Sequence, residues 1–185
     1  MISAAVNGQG STYSYDGDGR RVQKVSPAGT WTYVYDPLGN LAAEYGPSTA
    51  AGTQYISADH LGSTRLVTDQ NGNAVKCYDY LPFGEELGSG TGGRGSCFGS
   101  SAYPSSPDVI DNKFTGKPRD SESGLDYFGA RYFSAGQGRF TGADEPLADQ
   151  HSGDPQSWNL YAYVRNNPLK FTDSTGSFQD QQTLE

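Results

Sequence analysis

The chain has 185 residues and a formal net charge of −8, from 13 Lys and Arg set against 21 Asp and Glu. That acidity argues against a nucleic-acid partner, which a basic patch would announce, and no apolar run approaches the roughly 18 residues that span a membrane. Only 34% of residues are apolar with Gly left out, while Gly (25) and Tyr (13, against 8 Phe) are plentiful, a balance that favours strands and tight turns over helices.

Residues 1–10, MISAAVNGQG, have neither the basic n-region nor the apolar h-region of a signal peptide and are taken as an N-terminal extension. A repeat begins at residue 11. Tyr13, Tyr15, Asp16 and Gly19 form Y-x-Y-D-x-x-G, and Tyr33, Tyr35, Asp36 and Gly39 repeat it 20 residues later. A looser copy keeps Tyr55, Asp59 and Gly62, and Tyr78-Asp79 follows 20 residues beyond Asp59. Alternation through Thr12-Tyr13-Ser14-Tyr15 and Thr32-Tyr33-Val34-Tyr35 is the period of a strand with one ring-bearing face. Asp then accepts backbone N–H bonds in the turn, and Gly supplies a positive φ. The repeat predicts strands over 12–15, 22–25, 30–35, 41–45 and 64–68, with Asn71-Gly72 a further hairpin turn of the type I′ sort. Residues 11–87 are thus expected to form a strip of stacked antiparallel hairpins, each needing its neighbours to bury a face.

The Asp-x-x-Gly turns also raise a calcium reading. An EF-hand loop needs D-x-[DN]-x-[DN]-G and a Glu at its twelfth position. Asp16-Gly17-Asp18-Gly19 breaks that spacing, and Pro27 stands where the Glu belongs. No metal and no cofactor are expected. Cys77 and Cys97 are too few for a disulfide framework; pairing across the intervening loop stays open, with two unpaired thiols the simpler expectation for a chain without an export signal.

Residues 88–107 carry six Gly, six Ser and two Pro in twenty positions, the composition of a flexible loop. The core section, 108–176, centres on GLDYFGARYFSAGQGRFTGADEP at 124–146. It sets Tyr127, Phe128, Tyr132, Phe133 and Phe140 around Arg131, Arg139 and Asp144, with turn glycines between them. Ser157 is expected to cap one short helix running through Trp158, Leu160, Tyr161 and Val164 and ending at Asn166-Asn167-Pro168. Residues 177–185 form a polar tail. The expected fold is therefore mainly β: a strip of antiparallel hairpins and a C-terminal core plug with a short helix.

The 124–146 segment closely resembles the core of Rhs (YD-repeat) proteins, whose signature runs G-L-x-Y-x-x-A-R-Y-Y-x-x-x-x-G-R-F-x-x-x-D-P. Residues 159–176, NLYAYVRNNPLKFTDSTG, are similar to the family's N-x-Y-x-Y-x-x-N-N-P followed by D-P-x-G. The resemblance implies that 11–86 are the last turns of a sheet that spirals into a hollow shell. It also implies a bacterial protein, secreted or at the cell surface, that encloses a variable C-terminal toxin segment and releases it by self-cleavage.

No G-x-S-x-G elbow, P-loop, H-E-x-x-H or C-x-x-C is present, and His60 and His151 lie in different sections without a nucleophile nearby. By the resemblance, the family's arginine falls on Arg131, its two aspartates on Asp144 and Asp173, and its scissile bond near Ser177 and Phe178. Two close carboxylates share a proton, so one serves as base on a water and the other as acid, with an arginine to stabilise the oxyanion. Both aspartates are also ordinary turn formers by residue type. The family's two D-P pairs are here Asp144-Glu145-Pro146 and Asp173-Ser174. A non-catalytic β-repeat scaffold that assembles with copies of itself through open sheet edges is the rival reading. A carbohydrate-contacting surface, warranted only by Tyr and Trp, is a third.

Overall fold

The computed structural model describes residues 2–6, 9–37, 41–47, 52–99, 108, 110–147 and 150–177. The chain divides into two compact units, 1–51 and 52–185. Among the described residues it is mainly β, with three antiparallel sheets and only short 3-10 turns as helical elements. No described helix is long and apolar enough to cross a membrane.

The first unit is a five-stranded meander in sequence order: β1 Ile2–Val6, β2 Gln9–Tyr15, β3 Arg21–Ser26, β4 Gly29–Tyr35 and β5 Leu41–Tyr45. The expected strands at 12–15, 22–25, 30–35 and 41–45 all fall inside it. Residues 1–10, taken as an extension, supply β1 and the start of β2. Register places Tyr13 opposite Lys24 and Lys24 opposite Trp31. The alternation therefore sets two rings and a lysine side by side on one face. Lys24 and Arg21 are buried here, with the Lys24 ammonium 5.3 Å from the Trp31 ring and the Arg21 guanidinium 4.1 Å from the Tyr13 ring. Rings thus cover charges that a strand of this period would otherwise strand in the core.

The turns at Asp16 and Asp59 work as the residue types predict, while Gly39 of the Asp36 copy lies outside the described residues. Asp16 Oδ1 accepts from the N–H of Asp18 and Arg20 at 3.0 and 2.8 Å, and Gly19 has φ 79°. Asp59 does the same for Leu61 and Ser63. The Asn71-Gly72 turn belongs to this set instead of type I′. Only Gly72 of the pair has positive φ, and Asp69 Oδ1 accepts from Asn71 and Asn73 at 2.8 and 2.9 Å. Strand register shifts just before Asp16, Asp36, Asp59 and near Asp69. A bulge with its added twist is thus part of the repeat.

The second unit opens with a three-stranded sheet, β6 Tyr55–Ala58, β7 Thr64–Thr68 and β8 Ala74–Cys77. Cys77 and Cys97 form a disulfide, Cα atoms 5.2 Å apart, which corrects the expectation of free thiols. The bond ties β8 to the 3-10 turn at Ser96–Phe98. Residues 88–99 are held as well by Ser89 N–H to Gly99 O (2.7 Å) and Arg94 Nε to Asp79 (2.9 Å). Residues 100–107 and 178–185 lie outside the described residues.

A four-stranded sheet follows, ordered β12-β11-β10-β9: β9 Arg119–Asp120, β10 Leu125–Tyr127, β11 Tyr132–Ser134 and β12 Arg139–Phe140. Its core is Phe114, Phe128, Phe133, Phe140, Tyr163 and Val164. Ring centroids lie 4.9 to 6.0 Å apart, mostly tilted or edge-to-face.

The short helix takes the form of two 3-10 turns, Pro155–Trp158 and Val164–Asn166, and Asp154, not Ser157, caps the first by accepting from Gln156 N–H at 3.0 Å. An α-helix is prevented because the intervening backbone pairs with the sheet. Phe140 N–H donates to Tyr161 O (3.0 Å) and Asp144 N–H to Leu160 O (2.9 Å). Those bonds spend the carbonyls a helix would need.

Candidate active site

Three loops converge on Arg131. The first is Gly129-Ala130-Arg131 between β10 and β11, the second leaves β12 toward Asp144, and the third is the Asp173-Ser174-Thr175-Gly176 turn. Gly129 (φ 93°) and Gly176 (φ 80°) let the first and third loops touch: a Cβ on Gly176 would sit 2.9 Å from Phe128 O, and one on Gly129 3.0 Å from Thr175 O. Ala130 N–H then donates to Thr175 O at 2.9 Å, and Lys117 Nζ donates to Ser174 O at 2.5 Å from the outer side.

Arg131 uses its fork fully. Nη2 lies 2.8 Å from Asp144 Oδ2 and 3.7 Å from Asp173 Oδ2. Nη1 donates to Leu160 O at 2.9 Å, and Nε donates to Gly176 O. The guanidinium stacks 3.8 Å from the Phe140 ring centroid, which fixes its plane. The two carboxylates are therefore joined through one arginine nitrogen.

Asp173 is buried, and its Oδ1 accepts from Gly176 N–H (2.6 Å) and Thr175 N–H (3.1 Å). Burial pushes its carboxyl above the usual range, opposed in turn by those N–H groups, Arg131 and Lys117. Burial also lowers the basicity of Arg131, against the pull of Asp144 and Asp173. Asp144 is more open, its side chain 23% exposed, and accepts from Glu145 N–H at 2.8 Å.

A cavity of about 40 Å³ opens beside this cluster, lined by Arg131, Asp144, Asp173, Gln150, Arg165 and Ser177 among others. Val164 and Arg165 on its wall, with Asn166, have φ of 41°, 51° and 61°. For a β-branched residue such a φ is a true outlier, and strain of this kind gathers at functional sites. Of the residues singled out in the sequence, the structure brings together Arg131, Asp144, Asp173 and Ser177. Phe178 lies outside the described residues. Among the described residues, no group of three or more His, Cys, Asp or Glu could hold a metal.

A second charged cluster escaped the sequence reading. Arg119 meets Asp126 through two bonds, 2.7 and 2.8 Å, with both side chains buried. Lys113 Nζ, also buried, bridges Glu86 Oε2 (2.9 Å) and Asp108 Oδ2 (2.8 Å), and Tyr78 donates to Asp108. Period-2 alternation through Leu125-Asp126-Tyr127 was the available signal, since it puts the acid on the opposite face from its neighbours.

The Teneurin YD-shell family model matches residues 26–169. The chain belongs to that family. It is the YD-repeat shell group that the Rhs signature pointed to. This YD-shell chain is 30% identical over 182 residues to the tRNA3(Ser)-specific nuclease WapA of Bacillus spizizenii, covering 95% of the chain and 7% of that protein. It is 33% identical over 114 residues to toxin subunit YenC2 of Yersinia entomophaga, covering 62% and 10%. Among solved structures, that of TcdB2-TccC3-TEV superposes with a TM-score of 0.61 at 22% identity over 95% of the chain and 9% of the other, which shows a shared fold. The chain thus spans about a tenth or less of each relative's length.

Proposed function

We propose that this YD-shell chain is the closing end of a toxin shell that frees its own C-terminal segment by hydrolysis at Ser177–Phe178. The observation that carries the reading is the shared cavity: Arg131, both aspartates and Ser177 line one space with room for water. Asp144 acts as base, taking a proton from water as its oxygen bonds to the Ser177 carbonyl carbon. Arg131 offers charge to the oxyanion. Asp173, whose burial keeps it protonated to higher pH, gives its proton to the Phe178 nitrogen as the C–N bond breaks. The products are a Ser177 carboxylate and a Phe178 amine, and the partner is the chain's own C-terminal segment. The Cys77–Cys97 bond favours an oxidising, exported setting. The test is the intact mass of purified chain beside Asp144→Ala and Asp173→Ala. Wild type should shorten to Ser177 while both variants stay whole; a wild type that stays whole, or variants that shorten equally, would end the reading.

One observation favours a second reading, self-assembly. Among the described strands β6 is an edge, and all four of its residues are exposed, Tyr55 at 58% and Ile56 at 50%. Such an edge invites pairing with another copy. The charge of −8 opposes this, so association should strengthen as salt screens repulsion over a Debye length of ~8–10 Å. Light scattering that shows monomer at every salt concentration would dismiss it.

A further inference from the structure

The cavity beside Arg131 has a wall that the mechanism above leaves unused. Gln150 lines it, and its Oε1 is shut off from solvent with no hydrogen-bond donor among the described residues. A buried acceptor left without a donor is costly, and native proteins seldom carry one unless the site itself supplies the partner. That partner must donate, fit a space of about 40 Å³ and sit beside two carboxylates and a guanidinium. Water meets each condition, since it needs ~10–15 Å³ and two to four polar partners.

We propose that Gln150 is a positioning residue for self-cleavage, its Oε1 accepting one hydrogen of the attacking water while Asp144 accepts the other. This rests on the self-cleavage reading. A water whose two O–H bonds are both committed turns its lone pairs away from those acceptors, toward the remaining wall, which includes Ser177. Its rotational freedom is removed before the reaction begins, which is where positioning lowers a barrier. The strained Val164-Arg165 backbone and the Arg165–Asp154 ion pair (2.9 Å) hold another part of the wall, so the cavity keeps its shape around the water.

The experiment follows the first-order loss of residues 178–185 from the full chain by intact mass, in wild type, Gln150→Met and Gln150→Glu. Methionine keeps the length without the acceptor, and glutamate keeps an acceptor. Gln150→Met should slow cleavage about tenfold or more with an unchanged thermal midpoint. Gln150→Glu should stay within a few-fold of wild type while its pH profile moves upward, because a third carboxylate raises its neighbours' pKa. A glutamine with no part in holding the water would leave the Gln150→Met rate at the wild-type value. Cleavage of Gln150→Met at the wild-type rate, or an unshifted Gln150→Glu profile, overturns the role of Gln150 and leaves the self-cleavage reading standing. If wild type itself does not cleave, that reading falls, and a high-resolution crystal structure of the intact chain decides on Gln150. A water hydrogen-bonded to Oε1 in the cavity sustains its water-holding role; a cavity without one ends it.

Discussion

Arg119 and Asp126 stand directly opposite each other on β9 and β10 and join through two hydrogen bonds of 2.7 and 2.8 Å, both side chains out of water. Arg119 also donates to Gly84 O at 3.0 Å, linking the core sheet to the turn after Tyr80. Burial drives the Asp126 carboxyl toward keeping its proton, and the guanidinium works against that.

Removing one partner leaves the other charge buried, at a cost of ~3–5 kcal/mol, whereas replacing both with apolar groups of similar volume is often near neutral. Asp126→Ala should therefore destabilise more than the double variant Arg119→Met/Asp126→Leu in urea unfolding. A double variant no more stable than Asp126→Ala would show that the pair is needed as a pair.

The Cys77–Cys97 bond closes a loop with a sequence separation of 20, for which chain entropy gives about 3 kcal/mol. Reduction should lower the melting temperature of the 52–185 unit by roughly 6–12 °C. Cys77→Ser/Cys97→Ser should melt at the reduced temperature and ignore reductant. An unchanged midpoint on reduction contradicts this.

Gly176→Ala faces both a positive φ of 80° and contact with Phe128. The strain is on the order of 1–3 kcal/mol, and its relief displaces the turn that carries Asp173 and Ser177. Circular dichroism should stay native while processing is lost. Full processing in this variant would mean that the turn's close packing is dispensable.

Asp173 holds its proton more tightly folded than unfolded. Its contribution to stability is thus most favourable below the unfolded carboxylate range near pH ~4 and is lost as pH rises through the raised folded value. Asp173→Asn keeps an acceptor for Gly176 and Thr175 without titrating. Relative to it, wild type should lose stability from about pH 4 upward. A constant difference between the two across that range would refute the shift.

The individual hairpins were legible because their information is local: alternation, Asp and Gly within a few residues set strand, turn and register. The disulfide was not, since Cys77 and Cys97 meet only after Ser89, Arg94 and Asp79 fold the intervening loop back. The helix over 157–164 failed for the same reason, as propensity lost to backbone pairing with Phe140 and Asp144. Motif matching singled out Arg131, Asp144 and Asp173, which the fold brings together. Gln150 carries no motif, and only the cavity reveals it.

The rate of self-cleavage against pH, measured on the whole chain at several protein concentrations, bears most directly on the two-carboxylate site. A base that must be ionised and an acid that must be protonated give a bell-shaped profile. Reaction in cis makes the first-order rate independent of concentration, and Asp144→Ala should flatten the profile to zero. An intact chain at every pH, a rate that climbs steadily with pH, or one that grows with protein concentration would contradict the account.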